Sequence, residues 1–291
     1  MDVLLIHLIN ALLYASVLFL IAGGLSLIYG VMRIVNLAHG NLYAFGAYTT
    51  AWAVGAASTH VPWGFLYLLL PAGAVAAAAL GAMLEPTLLR PFYKRAEEYQ
   101  LLVTFGLLMI LDDVIRFLWG PYPLTASVLW ENMGSLSIGD NPYPTYNLVV
   151  IVVGAAAAVF LWAFIYRTKF GVVLRATSQD MRMASALGVN VNRTYVEAFT
   201  IGCFMAGLGG AIIVPSQSAV LGMGVDALVL SFIVVVIGGL GSLEGALAGA
   251  LIVGVVREAG ITFFPEIELA VLYLMAAGVL LIRPSGLFGR P

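Results

Sequence analysis

Long stretches of this chain carry no charged residue. Val3 to Met32 contains no Asp, Glu, Lys or Arg, and neither does Ile34 to Leu84. Asn141 to Tyr166 and Ala198 to Val225 are further uncharged runs. Each is apolar throughout rather than alternating. A β-barrel strand alternates apolar and polar positions over about ten residues, so the pattern predicts helices. A membrane crossing takes about 20 apolar residues. The run Ile34–Leu84 is long enough for two crossings, divided near His60–Pro62. The expected fold is all-α: a polytopic transmembrane bundle of about eight to ten spans, some of them short or broken. The whole chain, 1–291, reads as one transmembrane domain.

Composition turns this pattern into an exclusion. The chain is 62% hydrophobic and 10% charged, whereas soluble domains carry roughly 25% charged residues. So little polar surface cannot cover a soluble fold, and lipid removes the need. No Lys or Arg precedes the first apolar run, so the start does not read as a signal peptide. The single cysteine, Cys203, excludes an intrachain disulfide and a cysteine metal cluster, and it reads as packing.

The basic residues set the expected orientation. Arg90, Lys94 and Arg95 fall in one loop, and Arg167, Lys169, Arg175, Arg182 and Arg193 in another. Basic loops stay in the cytoplasm. The stretch Gly120–Tyr146 between them holds Glu131 and Asp140 but no base, which places it outside. Counting back puts the N-terminus outside and Arg33 in a short inner turn. Counting forward puts Arg283 and Arg290 inside only if Asp226–Glu258 forms two segments that turn back near Gly238–Ser242. One long helix there would leave the C-terminus outside and break the rule.

Several features mark candidate chemistry. Gly238-Gly-Leu-Gly-Ser-Leu-Glu244-Gly245 interrupts an apolar run. Dense glycine loosens a helix, and transporters place broken helices at substrate sites. Close packing through the pair Gly245 and Gly249 is the competing reading. Gly30 to Gly40 joins the first two spans. There Asn36 is positioned to cap the second helix, and His39 either contacts a solute or belongs to a polar surface turn.

Asp112, Asp113 and Arg116 lie within one span at spacings that permit an ion pair on one helix face. The depth of Asp113, about 9 Å from Trp119, argues against a proton relay. Glu85, Glu197 and the Arg257–Glu258 pair are expected to reach the membrane interface. Glu244 stands apart because it falls inside the glycine-rich break.

The chain contains neither a P-loop nor a zinc-protease motif, and His7, His39 and His60 are scattered. No metal site, cofactor or nucleic-acid partner is expected, and an enzyme reading finds no catalytic pair. The inner loop, about 167–193, is more informative. Ser178 is a candidate N-cap, after which Met181, Ala184, Ser185 and Gly188 recur at helical spacing. Such a helix, with Arg182 nearby, would either dock in a groove on a partner or rest on lipid headgroups. Its weakly apolar face argues against deep lipid insertion.

At these residues the chain resembles the permease subunits of branched-chain amino-acid ABC importers, of the LivH type. The resemblance spans nearly the whole length. It is carried by Gly30-x-x-Arg33-Ile-Val-Asn36-Leu-Ala-His39-Gly40, by the loop Gly171 to Asn190, and by the tail Arg283-Pro-Ser-Gly-Leu-Phe-Gly289. It implies a coupling helix that contacts a separate P-loop ATPase, which binds the ATP. Ala184 and Gly188 match the alanine and glycine of the coupling motif. Arg182 stands at the motif's acidic position and Met183 at its first alanine, a departure that leaves the register open.

The resemblance further implies an extracytoplasmic solute-binding protein, a second permease of related sequence or a second copy, and a prokaryotic plasma membrane. Branched-chain amino acids are the implied solutes, with amides, urea and aromatic acids as alternatives. A secondary transporter or channel is the competing functional class. The candidate substrate path takes in Asn36, His39, Gly40, Gly239, Gly241 and Glu244, and half-helix N-termini near Asn36–Gly40 or Ser242–Gly245 would favour a solute carboxylate. Glu244 opposes a carboxylate and suits an ammonium group.

Overall fold

The computed structural model describes residues 2–289, and among them the chain is almost wholly helical. In order come α1 (Asp2–Met32), α2 (His39–Ala57), α3 (Trp63–Leu66), α4 (Leu70–Leu84) and α5 (Glu97–Trp119). There follow α6 (Ser127–Met133) and a small hairpin, β1 (Ser135–Ile138) with β2 (Asn141–Pro144). The remainder is α7 (Thr145–Arg167), α8 (Lys169–Gln179), α9 (Met181–Ala186), α10 (Val191–Ile213), α11 (Met223–Gly238), α12 (Leu243–Phe263) and α13 (Glu268–Ile282). The hairpin is antiparallel, with Ser135 opposite Pro144 and Ile138 opposite Asn141.

Six helical runs among the described residues are long and apolar enough to cross a membrane: α1, α7, α10, α12, Trp63–Phe92 and Pro265–Ile282. The run Trp63–Phe92 is continuous because short 3-10 and π turns extend α3 and α4. Three more helices pack in the same bundle and are read with it. α2 has 19 residues, α5 has 23 with charges near both ends, and α11 is a mainly apolar helix of 16 residues. This agrees with a polytopic bundle of eight to ten spans.

The glycine-rich segment does split Asp226–Glu258 into two helices, α11 and α12, with the turn at Gly239–Ser242. Their contact is close because it is built from glycine. A Cβ on Gly245 would overlap the Gly238 carbonyl, and one on Gly249 the Val234 carbonyl. The paired positions run in opposite directions, as in an antiparallel hairpin. Gly245 and Gly249 therefore act in helix packing. In lipid, such backbone approach supplies van der Waals contact that apolarity alone does not.

The core lies around α10, which is 67% buried over its span, against 11% for Pro265–Ile282 at the periphery. Gly46 of α2 meets Gly207 of α10, so tightly that a Cβ would overlap the facing backbone. Tyr146 ties α7 to α10 through its hydroxyl, which donates to the Ile212 carbonyl at 2.8 Å. Cys203 is buried in the same helix, against Gly81.

Three expectations about charged groups are corrected. Glu85 does not reach the interface but is fully buried. Arg90 Nη2 bonds one carboxylate oxygen at 2.6 Å and the Tyr93 hydroxyl donates to the other at 2.6 Å. Burial and the bond to Glu85 push the Tyr93 phenol well above its usual range. The π turn Glu85–Leu89 brings Arg90 back over the carboxylate.

Glu258 is likewise buried, where His7 Nδ1 lies 2.8 Å away and Asn10 Nδ2 donates at 3.1 Å. Glu197 is half-buried and pairs with the exposed Arg193 at 2.7 Å. Among the described residues, no ion pair joins Asp112 or Asp113 to Arg116. Asp113 and Arg116 are both exposed on α5, so neither is held against the other by a covering element.

Candidate functional site

Alternating helix direction gathers the turn after α1, the loop before α5, the α7–α10 loop, the α11–α12 turn and the tail after α13 at one end. All described Lys and Arg residues except Arg116 and Arg257 lie there. The start of α1 lies at the opposite end, where Tyr143 of the hairpin donates to Asn10 at 2.9 Å. Arg283 belongs to the basic end, and Arg290 lies outside the described residues.

The loop between α7 and α10 folds as two short helices held at a sharp corner. Thr168 breaks the helical path after α7, and its Oγ1 caps α8 by accepting from Gly171 N–H at 3.1 Å. Gly171 fits because a Cβ there would overlap the Ile165 carbonyl. Arg175 donates to that carbonyl and lies 5.2 Å over the Tyr166 ring, which anchors α8 on α7.

Asp180, not Ser178, caps α9, by accepting from Met183 N–H at 2.9 Å. Ser178 instead donates back to the Arg175 carbonyl at 2.8 Å. It is still inside α8, where its hydroxyl serves the preceding turn. Gly188, at φ +87°, closes α9. Gly188 N–H reaches the Ser185 carbonyl at 3.0 Å and Val189 N–H the Ala184 carbonyl at 3.1 Å, a Schellman pair. Ala184 is buried and faces the bundle, whereas Arg182, Met183, Leu187 and Gly188 are exposed. Met181 accepts from the Tyr195 hydroxyl at 3.2 Å, which fastens α9 to α10.

In the turn after α1, Arg33 adopts φ +54°, the left-handed region where glycine is normally found. Asn36 is fully buried. Its Oδ1 accepts from Ala38 N–H at 3.1 Å, so it closes the turn before α2 rather than capping the helix. His39 is also fully buried, with Nε2 3.0 Å from the Ile21 carbonyl. A carbonyl only accepts, so Nε2 carries the proton and Nδ1 is left without a partner. Asn36 Nδ2 is buried without a partner too. Gly40 packs directly on Gly224 of α11.

At the α11–α12 turn, Gly239 and Gly241 take φ +109° and +78°. Gly241 rests on Gly30 of α1, and Ser26 donates to the Ser242 carbonyl at 3.0 Å. Ser242 Oγ caps α12 by accepting from Gly245 N–H at 3.0 Å. The tail then docks on the end of α11. Leu287 and Phe288 N–H groups reach the Ile237 and Gly238 carbonyls, each at 2.9 Å. They satisfy two carbonyls that a helix end leaves open. Gly239 packs against that tail. Glu244, in the first turn of α12, is exposed and accepts from the Tyr166 hydroxyl at 2.5 Å.

A cleft of about 920 Å³ opens among these parts. Gly241 and Glu244 line it together with Ser26, Arg33, Tyr166 and Arg175. Asn36, His39, Gly40 and Gly239 are not in its lining, so the two groups of candidate path residues do not share one cavity. Glu244 sits at a helix start on the basic end rather than midway along a span. Tyr166 and Arg175 are brought to the cleft by the corner at Gly171, which no local pattern announces.

The family model described as "Branched-chain amino acid transport system / permease component" matches residues 7–281. The chain is 28% identical to the high-affinity branched-chain amino acid transport system permease protein LivH of Salmonella typhimurium, over 97% of this chain and 94% of that protein. It is 26% identical to the permease protein LivM of the same organism, over 94% of this chain and 68% of that protein. Among solved structures, it is similar to a metal-chelate-type ABC transporter in an inward-facing conformation. That match has a TM-score of 0.50 and 17% identity, over 95% of this chain and 86% of that one, and supports the fold alone.

Proposed function

The chain belongs to the family of permease components of branched-chain amino acid transport systems, and from that membership we propose that it forms half of the membrane path of an ATP-driven importer. The solute is a branched-chain or related amino acid. Separate ATPase subunits bind the ATP, a solute-binding protein delivers the solute from outside, and the basic end faces the cytoplasm. The similarity to both LivH and LivM of one organism supports a second, related permease as the other half.

The observation that carries this reading is the shape of α9. It is fixed on its inner side by Ala184 and Met181, and it presents Arg182, Met183 and Leu187 with Leu187 78% exposed. Exposed apolar side chains flanked by charge on a short rigid helix suit a groove on a partner. They sit at the end rich in Lys and Arg, the end that basic loops keep in the cytoplasm. ATPase closure would push on α9, and α8 would carry the push to α7 through Arg175.

Reconstitution tests this directly. The complex isolated with this chain, in proteoliposomes with ATP inside and binding protein outside, is expected to accumulate leucine. Leu187→Asp should abolish ATP-driven uptake while the chain still inserts and co-purifies with the second permease. Undiminished uptake by Leu187→Asp would remove α9 as the docking element.

A further inference from the structure

We propose that the cleft at the basic end is a binding site for a zwitterionic solute with an apolar side chain, reached from the cytoplasm, and that its occupancy slows the importer. The inference rests on the reading above for the solute class and for the side of the membrane.

Opposite charges share this cleft without pairing. Arg33 and Glu244 both line it, yet among the described residues no ion pair joins them and the Arg33 guanidinium has no carboxylate partner. Glu244 receives one hydrogen bond, from Tyr166, leaving acceptor capacity on its carboxylate. Arg33 is held in a left-handed conformation at a helix end, where glycine would be unstrained. Strain of this kind persists where surrounding structure enforces it and collects at ligand sites.

Leu27, Leu174 and Leu243 line the same cleft and give it an apolar part. A guanidinium for a carboxylate, a carboxylate for an ammonium and leucine side chains in the same cleft for an apolar side chain match the groups of a free amino acid such as leucine.

The three groups also belong to three different elements. Arg33 follows α1, Leu174 is in α8 beside the docking helix, and Glu244 opens α12. A solute bridging them would tie α8 to the rest of the bundle. Any step of the cycle that moves α8 relative to α12 would then have to release it, so the solute stabilises the state it bridges. Accumulated product would thereby restrain its own import.

The test uses the purified importer complex in phosphatidylglycerol nanodiscs without the binding protein. Leucine is titrated alongside its amine analogue lacking the carboxylate and its acid analogue lacking the ammonium. Leucine is expected to bind, and each analogue about tenfold or more weaker, since each loses a charge-assisted bond. Arg33→Gln and Glu244→Gln should each weaken leucine by a similar factor, and leucine should lower ATP hydrolysis by the unmodified complex.

Equal binding of leucine and both analogues would overturn the proposal without relying on any variant. So would leucine affinity unchanged in both variants. A phosphatidylethanolamine headgroup offers the same paired charges. Leucine binding that disappears when that lipid replaces phosphatidylglycerol would assign the cleft to the headgroup and overturn the proposal. ATP-driven leucine uptake by the same complex, with binding protein added, separates the two readings. Uptake without cleft binding overturns the cleft alone, and active ATP hydrolysis with no amino-acid uptake overturns both.

Discussion

Replacing Gly188 by Asn, Ala and Val isolates one backbone requirement of α9, the proposed docking helix. A Cβ at this position would meet nothing within 4 Å, so side-chain crowding contributes no cost. The entire effect comes from φ +87°. A left-handed conformation costs an ordinary residue about 1–2 kcal/mol, which is about 5- to 30-fold in a local equilibrium. Asn tolerates the region and Val tolerates it least.

Two hydrogen bonds depend on that residue, Gly188 N–H to Ser185 and Val189 N–H to Ala184. Amide exchange at the last turn of α9 should therefore quicken by about 5- to 30-fold in Gly188→Ala, more in Gly188→Val and little in Gly188→Asn. ATP-driven uptake should fall in the same order. Exchange in Gly188→Val no faster than in Gly188→Asn would refute the backbone account. Gly188→Arg is a poorer probe of docking, because it combines the same strain with a new charge.

Other consequences are equally concrete. Arg33→Gly relieves a left-handed non-glycine residue and should raise stability by about 1 kcal/mol, seen as a higher Tm in detergent, while weakening leucine binding at the cleft; a lower Tm would contradict it. Arg90→Ala leaves a fully buried Glu85 carboxylate with only the Tyr93 hydroxyl, and should cost about 3 kcal/mol. The double variant Glu85→Leu/Arg90→Met should cost less than Arg90→Ala alone, and thermal denaturation of the three proteins ranks them. The Tyr93 phenol is raised by burial and by its bond to Glu85. The unfolded chain therefore releases this proton above about pH 10 while the folded protein keeps it, and stability must fall as pH rises through that range. Tyr93→Phe should flatten that alkaline decline in a Tm-against-pH series.

Much of the architecture was legible before any coordinates. Uncharged runs of span length give the helices, and the distribution of Lys and Arg demands an odd number of crossings. Of the two arrangements the sequence leaves open for Asp226–Glu258, that favours the one divided at the glycine-rich break, where α11 and α12 meet. The resemblance singles out Gly188 as the glycine of a coupling motif, and its φ of +87° is a physical reason for glycine there.

What stayed hidden depends on distant partners. Glu85 reads as an interfacial acid until the π turn folds Arg90 back onto it. Glu258 reads the same way until His7 and Asn10, from the other end of the sequence, are placed beside it. Asp112 and Arg116 have the spacing for an ion pair, but spacing permits a contact without enforcing one. Ser178 and Asp180 are both good caps, and only the corner after α8 decides between them. The cleft needed α1, α7, α8, α12 and the tail together, and no window of sequence contains them.

In the proposed importer, α9 docks an ATPase on the cytoplasmic side. Site-directed crosslinking in intact membranes tests it most directly, because Cys203 is buried and an introduced thiol is the one available for labelling. Met183→Cys and Leu187→Cys should each crosslink to the ATPase subunit, and His60→Cys, at the opposite end, should not. Crosslinks from His60→Cys with none from Met183→Cys or Leu187→Cys would contradict both the docking element and the orientation.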